Sequence, residues 1–153
     1  MRIIAAIIIL NLFYGCHNDQ RSSKDKNEIP PYRPGLGEFM NSIQLHHAKL
    51  WFAGVNNNWP LADFELHEIM EIKDDISTYC SDRPEIKALP MIVGPLDSLG
   101  IAVNRKDSIL FKQAFITLTA TCNTCHRSTE HAFNVVTIPT IPPVSNQDFK
   151  PLN

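Results

Sequence analysis

Phe111, Phe115, Leu118, Cys122 and Cys125 recur at spacings of four, three, four and three. That is the period at which side chains line one face of an α-helix, so both thiols fall on the apolar side of a segment that Asp107 is suited to cap. Three earlier stretches carry stripes of the same kind. The first runs from Leu36 to Phe52, with Leu36, Met40, Ile43, His47 and Leu50 on one face. Gly54 and Asn56-Asn57-Asn58 are expected to end it in a loop. The second begins at Pro60, a good first-turn residue, and presents Leu61, Ile69, Ile72, Ile76 and Tyr79 before Ser81-Asp82-Arg83-Pro84 stops it. The third is interrupted by prolines and Gly94 between Pro84 and Pro95, then reads as a short helix with Leu96, Leu99 and Val103, ending near Asn104. Beyond His131, the run Val135 to Pro143 holds Pro139, Pro142 and Pro143 and reads as extended, its apolar side chains free to wrap the helices. Ser145 to Asn153 reads as a polar end. The expected fold is all-α: an antiparallel four-helix bundle with an extended, Pro-rich C-terminal tail.

The N-terminus points outward from the cytoplasm. Arg2 precedes an almost wholly apolar run, Ile3 to Tyr14, which is too short for a membrane-spanning helix and suits a signal peptide. Gly15-Cys16 at its end looks like a bacterial lipobox, so residues 1–15 are expected as signal peptide and Cys16 as the lipidated N-terminus of the mature chain. His17 to Pro34 is polar and Pro-containing and reads as a tether; residues 35–131 then form the helical domain and 132–153 the tail. The expected location is the cell envelope, facing the periplasm, with the membrane as a partner through the lipid.

With Cys16 assigned to lipid, Cys80, Cys122 and Cys125 remain, and they do not make an even disulfide set. Cys122-Asn123-Thr124-Cys125-His126 matches C-x-x-C-H, the c-type haem attachment pattern. One helical turn presents two thiols to the two vinyl groups of one porphyrin, and the adjacent His to its iron. The expected cofactor is therefore one covalent haem c, bonded to Cys122 and Cys125, with His126 as proximal ligand. Three other uses of the thiols remain open: half a zinc site completed by His126 and His131, a redox-active dithiol, or a Cys122–Cys125 disulfide. Cys80 reads as a small buried side chain at a helix end.

The ligand opposite His126 is open at this point. His47 lies well inside the apolar face of the first helix and is the leading candidate. Met40, one heptad earlier, is the second; His46, nearer the edge of the face, and His131, His67 and His17 are weaker alternatives, and an unliganded distal side is the other outcome. Glu65 and Glu68 fall on or beside the apolar face of the second stretch and read as solvated edge residues, with a hydrogen bond to the distal His, Arg105 or Arg127 as the alternative.

A C-x-x-C-H at the end of the last helix of a bundle resembles the cytochrome c′ family. The runs Gln44 to Gly54, Asn58 to Ala62 and Ser145 to Phe149 also resemble a group of small exported bacterial haem proteins. The resemblance covers most of the expected mature domain, and the tail after the motif departs from cytochrome c′. It implies haem held between helices near one end of the bundle, and a homodimer in some members. Electron transfer with envelope redox proteins is the leading functional expectation. Binding of a diatomic gas at an open iron is the alternative, and a zinc-binding structural lipoprotein the third. A net charge of −2 with scattered Lys and Arg argues against nucleic-acid binding. No Ser/His/Asp or paired-acid constellation suggests an enzyme.

Overall fold

The computed structural model describes residues 32–152, so the signal peptide, Cys16, His17 and most of the tether lie outside the described residues. Within that span the chain is all-helical, with four α-helices: α1 (Leu36–Val55), α2 (Trp59–Tyr79), α3 (Val93–Arg105) and α4 (Ser108–Ser128). A 3₁₀ segment, Pro84–Ile92, runs into α3 without a break. The expected interruption there is a change of helix type. Pro84 and Pro90 fix φ and lack an N–H, which the short 3₁₀ turns tolerate, and Pro95 falls in the first turn of α3, where its missing N–H has no intrahelical partner to lose. Pro84–Arg105 is long and apolar enough by composition to cross a membrane. Leu89, Ile92, Leu96, Leu99, Ala102 and Val103 from this stretch are buried in the core.

Polar caps set the helix ends. Asp107 Oδ1 accepts from the amides of Ile109 and Leu110, both at 3.0 Å. Lys106, in the left-handed region at φ 53°, ends α3 and lets Asp107 N–H reach the Ala102 carbonyl. Asn57, at φ 59°, turns the chain between α1 and α2, and Asn58 caps α2 through Leu61 N–H. α1 therefore extends past its expected end at Phe52, and Gly54 belongs to the helix. It is buried at the point where Phe111 of α4 crosses it, and any Cβ there would overlap the Phe111 ring.

α1 packs chiefly on α2, and α3 chiefly on α4. Leu50, Leu66, Ile69, Ile76, Leu99, Phe111 and Phe115 are fully buried between them. Aromatic rings run from Trp59 through Phe111 to Phe115, flanked by Trp51, with centroids 4.9 to 6.5 Å apart. The buried face of α2 is turned relative to expectation. Ala62, Glu65, Leu66, Ile69 and Ile76 are its inner residues, while Tyr79 is exposed and stacks on Phe39. Of the apolar side chains in the C-terminal segment, Ile138 packs against the core while Val135 and Ile141 are exposed, and the end of the segment is not purely polar. Phe149 is buried against Phe52, and Asn58 donates to the Lys150 carbonyl.

Candidate functional site

Leu36, Met40 and Ile43 continue the α1 stripe, yet they are only partly buried, because they face a cavity. Its volume is about 310 Å³, within the range of small-molecule and cofactor sites. Ile76 of α2 and Ile86, Leu89 and Ile92 of the 3₁₀ segment continue the apolar wall. Cys122, Cys125 and His126 enter from the last turns of α4, and Asn134, Val135 and Val136 of the tail close one side. Arg83 and Glu85, hydrogen-bonded at 3.0 Å, give the cavity a charged edge.

The two thiols are free and stand on the same helical face. Burial, with Cys125 alongside, pushes the Cys122 thiol up to about 11, and burial also pushes Cys125 up. Both are therefore protonated at neutral pH, the reverse of the lowered thiol that a redox-active dithiol requires. Among the described residues no three His, Cys, Asp or Glu side chains converge as a metal-holding group, so His131 does not complete a cluster with Cys122, Cys125 and His126.

Hydrogen bonds assign the imidazole protons. His126 Nδ1 lies 2.7 Å from the Asn134 carbonyl oxygen, which can only accept, so Nδ1 carries the proton and Nε2 the lone pair. This is the arrangement in which a histidine offers Nε2 to a metal while a main-chain acceptor fixes its tautomer and orientation. His131 is held in the same tautomer by the Thr129 carbonyl, 2.6 Å from Nδ1, and it too lines the cavity.

His47 also lines the cavity, with one of its two ring nitrogens committed elsewhere. Thr119 Oγ1 donates its one proton to the Phe115 carbonyl at 2.9 Å, so it accepts from His47 Nε2, also at 2.9 Å. The imidazole packs on Phe115 at 4.3 Å and is buried, which lowers its pKa to about 4 and keeps it neutral. The lone pair then resides on Nδ1, which has no hydrogen-bond partner among the described residues. Met40 lines the same cavity with no polar partner to give up. His67 does not line it, and its exposed side chain donates from Nδ1 to the Asp63 carbonyl.

His46 turns away from the cavity toward α2. Its Nδ1 lies 2.7 Å from Glu65 Oε2, and its Nε2 lies 3.8 Å from Glu68. Glu65 is fully buried, which corrects its assignment as a solvated edge residue. Its other oxygen makes no hydrogen bond and has Lys49 Nζ at 3.5 Å for charge compensation. A periodicity count treats carboxylates as outward-facing, and the compensating partners sit on another helix. Lys49→Met keeps the aliphatic stem and removes the charge. It is expected to cost about 1 kcal/mol, a fall of about 4 °C in Tm by thermal unfolding.

Asn123, the second residue of the C-x-x-C-H run, was not singled out by the sequence. Its side-chain amide donates to the Val136 carbonyl and accepts from the Val136 N–H, each at 2.8 Å. Thr119 was likewise missed, although a polar residue one turn before Cys122 on an apolar stripe was a readable signal. Comparison with family models, with curated proteins and with solved structures gives no match.

Proposed function

We propose that the chain is a monohaem c-type cytochrome that carries electrons in the bacterial cell envelope. The observation that carries this reading is the convergence of Cys122, Cys125 and His126 on one apolar-walled cavity, with the proton of His126 held on Nδ1 by Asn134. The donor set fits the group. Two un-ionised thiols one helical turn apart suit addition to two vinyl groups, Nε2 of His126 is free to bind iron, and Arg83 offers a guanidinium at the charged edge for a carboxylate. Haem bound there would supply a one-electron Fe(III)/Fe(II) couple. Met40, Ile43, Ile76, Leu89 and Ile92 exclude water and keep the local dielectric low.

The finer architecture belongs to the same proposal: an antiparallel four-helix bundle resembling cytochrome c′, with the haem site toward one end. Support comes from the order of neighbours along α1 and α4. Gly54 meets Phe111, His47 meets Thr119, and Met40 shares the cavity with Cys122 and Cys125. Lipid at Cys16 would tether the domain to the membrane, where redox partner proteins are concentrated. A homodimer is compatible with the resemblance, and no catalytic turnover is assigned.

One observation favours a second reading. His47 Nε2 is already hydrogen-bonded to Thr119, so ligation through that nitrogen would break a buried bond, and only the unpartnered Nδ1 is left to His47 as a ligand. An iron with no distal ligand would bind a diatomic gas. Immediate binding of carbon monoxide by the ferrous protein is the result expected from an open site, and its absence is expected from firm six-coordination.

The decisive experiment is pyridine haemochrome analysis of protein secreted from a haem-attaching host. The expected result is one covalent haem per chain, with covalent attachment impaired in Cys122→Ala and Cys125→Ala and lost when both are replaced. Correctly secreted protein that is colourless, with a cofactor content unchanged by either replacement, would overturn the assignment.

A further inference from the structure

Asn134 and Val136 are two residues apart in the irregular segment after α4, and the carbonyls of both turn toward that helix. Across from them on α4, Asn123 and His126 are three residues apart, about one helical turn. His126 Nδ1 donates to the Asn134 carbonyl at 2.7 Å, and the Asn123 amide pairs with both the N–H and the C=O of Val136 at 2.8 Å. Val135, between them, is 70% exposed. The approach from α4 is set by Glu130 at φ 64° and by two turns, His131 N–H to the His126 carbonyl and Asn134 N–H to the His131 carbonyl.

From this register we infer that Asn123 is a positioning residue: by gripping Val136 on both edges it holds the Asn134 carbonyl on His126 Nδ1 and so sets the donor strength of His126 Nε2. The Asn134 acceptor is a main-chain atom of an otherwise irregular segment, and no side chain but Asn123 holds both main-chain edges of Val136. Without the grip, only the turn from His131 to Asn134 holds the carbonyl near the imidazole. A hydrogen bond from Nδ1 increases electron density on Nε2, which favours Fe(III) over Fe(II), so loosening it raises the reduction potential.

The inference rests on the haem assignment for its electronic consequence, and the test separates the two. Asn123→Ala removes both bonds to Val136. Asn123→Asp keeps the acceptor for Val136 N–H but loses the donor, and repels the carbonyl. In holoprotein from a haem-attaching host, Asn123→Ala is expected to speed hydrogen exchange in the peptide Phe133–Thr137 about tenfold. It is also expected to lower the Fe(II)–His stretching frequency and to raise the ratio of reduced to oxidised protein at fixed potential about tenfold, which is about 59 mV for one electron. Asn123→Asp should follow in the same direction by less. Unchanged exchange in Asn123→Ala, or faster exchange with stretch and potential unmoved, would overturn the inference. If the secreted chain is colourless, the haem assignment fails and the grip is tested in that chain. The ¹⁵N shifts of His126 should then report a protonated Nδ1 that becomes a tautomer mixture in Asn123→Ala, and shifts unaffected by the substitution would sink it.

Discussion

Gly54→Ala should destabilise the protein by about 3 kcal/mol, lowering Tm by about 10 °C, even though alanine is the better helix former. Intrinsic propensity favours the substitution by about 1 kcal/mol. Against that, a Cβ at Gly54 overlaps the ring of Phe111, which is fully buried and enclosed by Trp51, Trp59 and Phe115. Such a ring cannot turn aside without displacing its neighbours, because protein interiors are close-packed. Steric overlap therefore wins. The diagnostic measurement is a double-mutant cycle by denaturant unfolding. Gly54→Ala combined with Phe111→Leu should be less destabilised than the sum of the two single changes, by about 1 kcal/mol or more, since the smaller side chain makes room for the methyl. Additive effects would mean that Gly54 is required for some reason other than the approach of α4.

The second large effect is a pH dependence originating at His47. Folded, this imidazole takes up a proton only near pH 4, because burial opposes the charge; unfolded, it does so near 6.5. Between those values the unfolded chain binds a proton that the folded chain does not, so stability rises with pH through this window. The contribution is fully present above about pH 6.5 and is lost as the pH falls toward 4. The difference between 6.5 and about 4, at about 1.4 kcal/mol per pH unit, comes to about 3 kcal/mol. His47→Leu removes the titration. It also leaves Thr119 satisfied through the Phe115 carbonyl. Unfolding free energies measured at pH 7 and pH 4 should therefore fall by about 3 kcal/mol less in His47→Leu than in the native chain. An equal fall in both proteins would show that the ring is not held neutral by burial, as would be the case if iron occupied one of its nitrogens.

Much of the helical frame was legible from local pattern. The stripe ending in Cys122 and Cys125, the Asp107 cap and the start of α2 all depend on residues within a turn or two of each other, and the structure has them where periodicity and capping preference put them. The departures have physical causes. Gly54 and Asn56-Asn57-Asn58 read as one loop because glycine usually interrupts helices; here it stays inside α1 because Phe111 needs its bare surface. Glu65 read as solvated because carboxylates are rarely buried without partners, and its partners, His46 and Lys49, are contributed by α1. The tail's polar end concealed Phe149, whose place against Phe52 follows from the return of the chain to the α1–α2 turn.

At the site, the chain's own order dictated which chemical groups stand together: two thiols and an imidazole within five residues need no distant contact to share a helical face. Which nitrogen of each histidine is left free is another matter. That depends on acceptors brought in by folding: the Asn134 carbonyl for His126, Thr119 for His47, Glu65 for His46. Helix formation is local and periodic, so it can be read along a sequence. Proton placement follows from burial and from partners up to 72 residues away, and only packed helices supply those.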